Sequence, residues 1–294
     1  MKYRITHTTA YHYSEPASLS QNELFLTPRV TSRQQVLQTQ LNFMPQPQYL
    51  HRRIDYFGNV AHVFMIEQPH SELSLTATST VRTGRGFRIE PQATLPWEEV
   101  VRRLRTHVIP DDLDAYQFIF VSPMVAVNAD VHAYAQTSFP TGTPILEGGM
   151  DLMQRIFTEF AYDKAASTVD TPVEQVLANR RGVCQDFSHL AIACFRSLGL
   201  AARYVSGYLE TLPPPGKPKM IGADASHAWV SLYVPDEGWV DLDPTNNIIP
   251  GEMHVTLAWG RDYSDVAPVK GVVMGGGLHT LSVEVDVARV GMGR

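Results

Sequence analysis

Residues 2–13 alternate with a period of two. Tyr3, Ile5, His7, Thr9, Tyr11 and Tyr13 share one parity, and Lys2, Arg4, Thr6, Thr8 and His12 the other. Successive side chains of a strand point to opposite faces, so the pattern predicts a strand with one aromatic-rich face and one polar face. Leu37, Leu41 and Phe43 share a parity in a second strand candidate, and Leu73, Leu75, Ala77, Ser79 and Val81 alternate in another. Between these lies Phe57-Gly58-Asn59-Val60, where Gly-Asn between apolar runs signals a hairpin. Several short antiparallel strands with turn residues between them predict a β-sandwich over about 1–90. That stretch gathers no nucleophile, base and acid, so it reads as structural or as a binding surface.

The texture changes near residue 94. Thr94-Leu95-Pro96-Trp97-Glu98 reads as a helix start, with Val100, Val101 and Leu104 on one face. Short helices broken by Pro and Gly are expected over 91–150, as a helical connecting region. Leu152, Met153, Ile156, Phe157 and Phe160 then fall at helical steps. Thr171-Pro172-Val173-Glu174 predicts a helix with Thr171 as N-cap, Pro172 at N1 and Glu174 completing a capping box. The Pro-rich stretch Leu212–Pro218 is expected to be a mobile loop. After Gly275-Gly276-Gly277, the alternation of Leu281, Val283, Val285 and Val287 predicts a late strand in a C-terminal extension, 251–294.

Composition narrows the partners. With 44% hydrophobic and 18% charged residues, the 294-residue chain has the material for a core. The net charge of −6 comes without a basic block, so neither nucleic acid nor an anionic membrane is an expected partner. The first residues hold no apolar leader and no stretch is apolar enough to span a bilayer, so a cytoplasmic location is expected. Eleven histidines show no metal-ligand spacing, and Gly275-Gly276-Gly277 is not a phosphate loop. No metal and no cofactor are expected.

Two cysteines remain, Cys184 and Cys194. On one helix they stand about 15 Å apart, too far for the roughly 7 Å that a disulfide tolerates. Phe187, Leu190, Ala191, Cys194 and Leu198 form one apolar face, and Gly199 stops the helix. Cys194 belongs to that face and reads as a small buried hydrophobe. Cys184 falls outside it, in the first turn, where unpaired N–H groups and the helix dipole favour a thiolate and could serve an oxyanion. From the helix alone, Cys184 is a nucleophile or a small hydrophobe.

A nucleophile needs a base. His189 lies about 140° around the helix from Cys184 and reads as structural. In Ser226–Val234, a strand pattern, His227, Trp229, Ser231 and Tyr233 share the face opposite a wholly apolar one. His227 alone reads more readily as a structural histidine than as a base. Pro235-Asp236-Glu237-Gly238 predicts a turn, with Trp239–Thr245 running back and Asp241 and Asp243 on one face. A four-residue loop would turn His227 away from both acids. An odd loop or a bulge would bring His227 and Asp243 to one side.

Gly182-Val183-Cys184-Gln185-Asp186-Phe187, Ala202–Tyr208, Ser226-His227-Ala228-Trp229 and Trp239–Thr245 together resemble the bacterial transglutaminase-like family, whose core is papain-like. The Cys, His, Asp order and spacing fit it. His7–Tyr13 and Asp55–Asn59 resemble the β-rich domain that precedes this core in bacteria, and Gly260–Val266 resembles its tail. The resemblance implies an α+β fold, with a helix-borne Cys packed on an antiparallel sheet over 151–250. It implies Cys184 as nucleophile, His227 as base and then acid, and Asp243 as the orienting acid. Animal transglutaminases use calcium, but no acidic Ca loop occurs here, so calcium is not expected. The expected activity is thioester acyl transfer on a peptide or protein substrate, with hydrolysis favoured. Amine transfer to protein glutamine and an inactive papain-like binding module are the alternatives.

Overall fold

The computed structural model describes residues 1–86, 89–106, 109–211 and 226–291, so the Pro-rich stretch 212–218 lies outside the described residues. In chain order, β1 (Lys2–Leu24), β2 (Gln34–Met44), β3 (Tyr49–Ile54), β4 (Val60–Ile66) and β5 (His70–Thr83) come first. Helices α1 (Trp97–Thr106), α2 (Pro110–Tyr116), α3 (Ala129–Gln136) and α4 (Ile145–Glu159) follow, then β6 (Ala161–Tyr162), α5 (Val173–Asn179), β7 (Arg181–Gly182) and α6 (Cys184–Ser197). The chain continues through β8 (Ala202–Leu209), β9 (Ser226–Val234), β10 (Gly238–Leu242), β11 (His254–Gly260), α7 (Tyr263–Val266), β12 (Val269–Gly275) and β13 (His279–Arg289).

The N-terminal strands form one curled antiparallel sheet of seven strands, to which the C-terminal β12 and β13 belong. Its centre is β1, 23 residues long rather than one of several short strands. The first half of β1 pairs with β5 and β13, the second half with β4 and β12, and the ladder shifts between His12 and Ala17. The two halves face each other, with the rings of Phe43 (β2) and Phe64 (β4) 4.9 Å apart. The sandwich is thus made by one strand passing through both layers. The Gly58-Asn59 hairpin exists, but its loop closes between Asp55 and Asn59, where the Asp55 N–H donates to the Asn59 carbonyl at 2.9 Å. Leu37 does not join Leu41 and Phe43. A register shift between Val36 and Gln38 turns it outward.

The second sheet runs β10-β9-β8-β11, all antiparallel. Helix α6 packs on one face through its apolar stripe, and it ends at Gly199 in the left-handed region, φ 82°. The other face, expected to be mixed, is covered by the first sheet. Trp229 and Ser231 there are fully buried. The two sheets are joined by polar contacts as well as apolar ones. The Gln34 side chain donates to the Thr256 carbonyl (2.7 Å) and accepts its N–H (2.9 Å), and Asn59 does the same for Trp259 at 2.8 and 3.0 Å. Each amide stands in for a missing strand neighbour.

Two helix expectations are corrected. Helix α5 begins at Val173 after Pro172, and Thr171 does not cap it, because its hydroxyl accepts the Thr168 N–H at 2.8 Å instead. Phe157 is exposed while Leu152, Met153 and Ile156 are buried, since the apolar face of α4 is narrower than the spacing suggested. No described helix is long and apolar enough to cross a membrane.

Candidate active site

Helix α6 starts at Cys184, which is half-buried. The turn into it is built by Asp186, whose Oδ2 accepts the Val183 N–H at 2.7 Å and the Ser167 hydroxyl at 2.5 Å. A Cβ on Gly182 would sit 2.6 Å from that oxygen, so only glycine lets the carboxylate fold back here. Burial raises the Asp186 pKa, and the Ser167 and Val183 hydrogen bonds oppose it. The anion bonds an entering N–H at the positive end of the helix, as capping requires.

The hairpin register decides which acid meets His227. Val234 pairs with Gly238, so the loop is Pro235, Asp236 and Glu237. Asp236 (φ 70°) and Gly238 (φ 85°) take the left-handed backbone it needs. The odd count puts Asp241 opposite Ser231, on the face that also carries His227. Strand β10 ends at Leu242, and Asp243 turns out of the ladder into a bridge with Ile248.

Asp243 and His227 meet. His227 Nε2 lies 2.7 Å from Asp243 Oδ2. The same oxygen accepts from Asn246 Nδ2 at 2.7 Å and lies 3.2 Å from His254 Nε2. Oδ1 accepts the Thr245 and Asn246 N–H groups at 3.0 and 3.3 Å. The carboxylate is fully buried and surrounded by donors. Burial alone would raise its pKa, but the bonds from His227, His254 and Asn246 prevail and lower it. Burial likewise lowers the His227 pKa, yet hydrogen bonds to Asp243 and Cys184, with their charges, push it up to about 10. With Nε2 on Asp243, the ring nitrogen left for Cys184 is Nδ1.

Asp241 goes elsewhere, to Arg33 at 3.2 Å. His189 is buried against Tyr204, and its Nε2 accepts the Tyr263 N–H at 3.1 Å, so the ring is a neutral structural acceptor whose burial lowers its pKa to about 4. Cys194 is fully buried, and burial pushes its thiol up to about 12.

Two polar partners of Asp243 were not foreseen. Asn246 follows it by three residues in one turn, an Asx-rich signal that was available. His254 arrives from β11 with no sequence signal. Its Nδ1 is buried without a partner among the described residues. The ligand atoms of His227, Asp243 and His254 lie within 4.8 Å of one another, so this trio could hold a metal ion, although none was expected. At 2.7 and 3.2 Å the same atoms are within hydrogen-bonding range of one another.

Residues 3–82 match the bacterial transglutaminase-like N-terminal region, and residues 126–244 the transglutaminase-like superfamily. An uncharacterized protein of Mycobacterium tuberculosis is 39% identical over 97% of this chain and 92% of its own. One of Mycobacterium leprae is 33% identical over 98% of each. A protein-glutamine gamma-glutamyltransferase of Pseudomonas aeruginosa is 32% identical over 126 residues, 40% of this chain and 19% of that one. A solved structure from Cytophaga hutchinsonii, described as a candidate cysteine protease, has the same fold, with a TM-score of 0.75 at 22% identity over 100% of this chain and 92% of its own. The chain belongs to the transglutaminase-like superfamily, and residues 3–82, which hold nearly all of β1 to β5, match the bacterial N-terminal region of that family.

Proposed function

We propose that this protein is a cysteine-dependent acyl-transfer enzyme that opens peptide or amide bonds through a thioester on Cys184. The observation that carries the reading is the 2.7 Å contact of His227 Nε2 with Asp243, which leaves Nδ1 for the cysteine at the start of α6. The Cys184 thiolate would attack the carbonyl carbon while His227 is an imidazolium. The tetrahedral oxyanion would be met by N–H groups of the first turn of α6. His227 would then give its Nδ1 proton to the departing amine, and the C–N bond breaks. In the second half a water gives its proton to Nδ1 and attacks the thioester, releasing the acid and the thiolate. Asp243 would fix the tautomer and stabilise the imidazolium throughout.

Water is the acceptor we favour, since an amine acceptor needs a further site that excludes water. The family tie to a protein-glutamine gamma-glutamyltransferase supports amine transfer as the second reading. The test is a glutamine-containing peptide incubated with the enzyme, with and without a labelled primary amine. Ammonia or a cleaved peptide without label incorporation would support hydrolysis; label incorporation would support transfer. Neither product, with no difference in Cys184 alkylation between wild type and His227→Ala, would leave the inactive binding module.

A further inference from the structure

Between the two sheets, on the face of the second sheet that also carries His227, lies a cleft of about 300 Å³. Arg203 lines it. This residue sits on β8 opposite Ser231, which in turn sits opposite Asp241, so all three share the face. Its guanidinium carbon lies 3.7 Å from the Trp259 ring centre and 4.1 Å from that of Trp239. Arg29 covers Trp259 as well, at 3.5 Å. Both indoles pack against the Arg203 guanidinium.

The Arg203 Nε finds no acceptor among the described residues. Arg203 is 8% exposed, and its side chain makes no hydrogen bond to any described residue. The nearest acid, Asp241, is already bound to Arg33 at 3.2 Å, and Glu237 stands exposed at the rim. The Ser231 hydroxyl on the neighbouring strand is also buried and unpaired among the described residues. Buried donors without acceptors cost about 1–3 kcal/mol each, and a cluster of them asks for an occupant. A guanidinium edge presents parallel N–H groups that match a planar carboxylate. Of the remaining lining, Val205, Val240, Ile89 and Ile249 are apolar and Thr31, Ser32 and Thr256 are polar, and the volume is at the lower end for small-molecule sites.

We propose that this cleft binds a small organic carboxylate on a short aliphatic stem, with Arg203 as the anchor of the anion. The site is separate from Cys184 and stands whether or not the acyl-transfer reading does. The carboxylate can belong to a free acid or to the C-terminus of a peptide. The experiment is calorimetric titration, with tryptophan fluorescence read in parallel because Trp239 and Trp259 flank the site. The probes are glutarate, glutaramide, sulfate, and a short aliphatic peptide with a free or an amidated C-terminus. Saturable binding of glutarate identifies a free acid, and binding of the peptide that amidation abolishes identifies a chain terminus. Either supports the site if Cys184→Ala binds equally and Arg203→Met weakens binding about tenfold or more. Should Arg203→Met fail to fold, the weaker binding of glutaramide than glutarate to wild type decides. Equal binding of glutaramide and glutarate, equal binding of sulfate, or no saturable binding of any carboxylate would overturn the proposal.

Discussion

Gly207 stands directly opposite His227 in the β8–β9 ladder. A Cβ there would meet the Val255 carbonyl at 2.3 Å and the Trp229 ring at 2.4 Å. That ring in turn packs 6.1 Å from His227 and 5.3 Å from His254. Bare backbone at Gly207 is what seats Trp229 beside both histidines.

Gly207→Ala is expected to destabilise the fold by about 1–3 kcal/mol, the usual cost of overpacking. It should also slow Cys184 alkylation, because the displaced indole moves His227. Thermal melts and alkylation rates check this; an unchanged alkylation rate in a destabilised protein would mean that the indole does not seat the histidine.

Asp243→Asn is expected to keep the fold and to lower turnover by about 10²- to 10⁴-fold, since the amide can hold the wrong tautomer. Asp241→Asn, which loses only the Arg33 partner, is expected to leave the Cys184 alkylation rate near wild type. Alkylation rates of the two variants, with circular dichroism for the fold, make the comparison; equal losses would refute the assignment of roles.

The His227–Asp243 pair predicts a pH window. The His227 pKa is held up at about 10 against an ordinary 6.5, so its stabilisation is complete below 6.5 and is lost as pH rises toward 10. The Asp243 pKa is depressed below 3.8, so its stabilisation is present above that value and is lost as pH falls below it. These describe one pair and count once. Urea unfolding at about pH 6 and about pH 9.5 should show wild type losing more stability than His227→Gln over that interval. Equal losses would contradict the pair.

Native protein is expected to take up one equivalent of a thiol reagent, at Cys184. Cys194, fully buried and 3.9 Å from the Val131 carbonyl, should react only after unfolding. Peptide mass spectrometry locates the label, and prior labelling of Cys194 would reverse the assignment.

The strand and helix faces were legible because burial follows period. The stripe of α6 and the separation of Cys184 from Cys194 come straight from it. What period could not give was parity. Whether His227 and Asp243 share a side turned on one residue in the Pro235–Glu237 loop, and Leu37 was misplaced by one residue of register. His254, Asn59 and Gln34 were invisible for a different reason. Asn59 and Gln34 act across the boundary between the two sheets, where a local pattern carries no information about a partner some 200 residues away, and His254 reaches Asp243 from β11, 11 residues on.

The pairing of β1 with β12 and β13 sets an order of assembly. Residues 269–289 leave the ribosome after everything they pair with, so until then the central strand, already paired with β4 and β5, keeps its other edge open. The nascent first sheet would be unable to close on its own, and the Val290 N–H that donates to the Lys2 carbonyl at 2.9 Å is among the last contacts made. The two halves of the molecule therefore mature together, and a nascent chain halted before β12 would be left as an open, adhesive sheet.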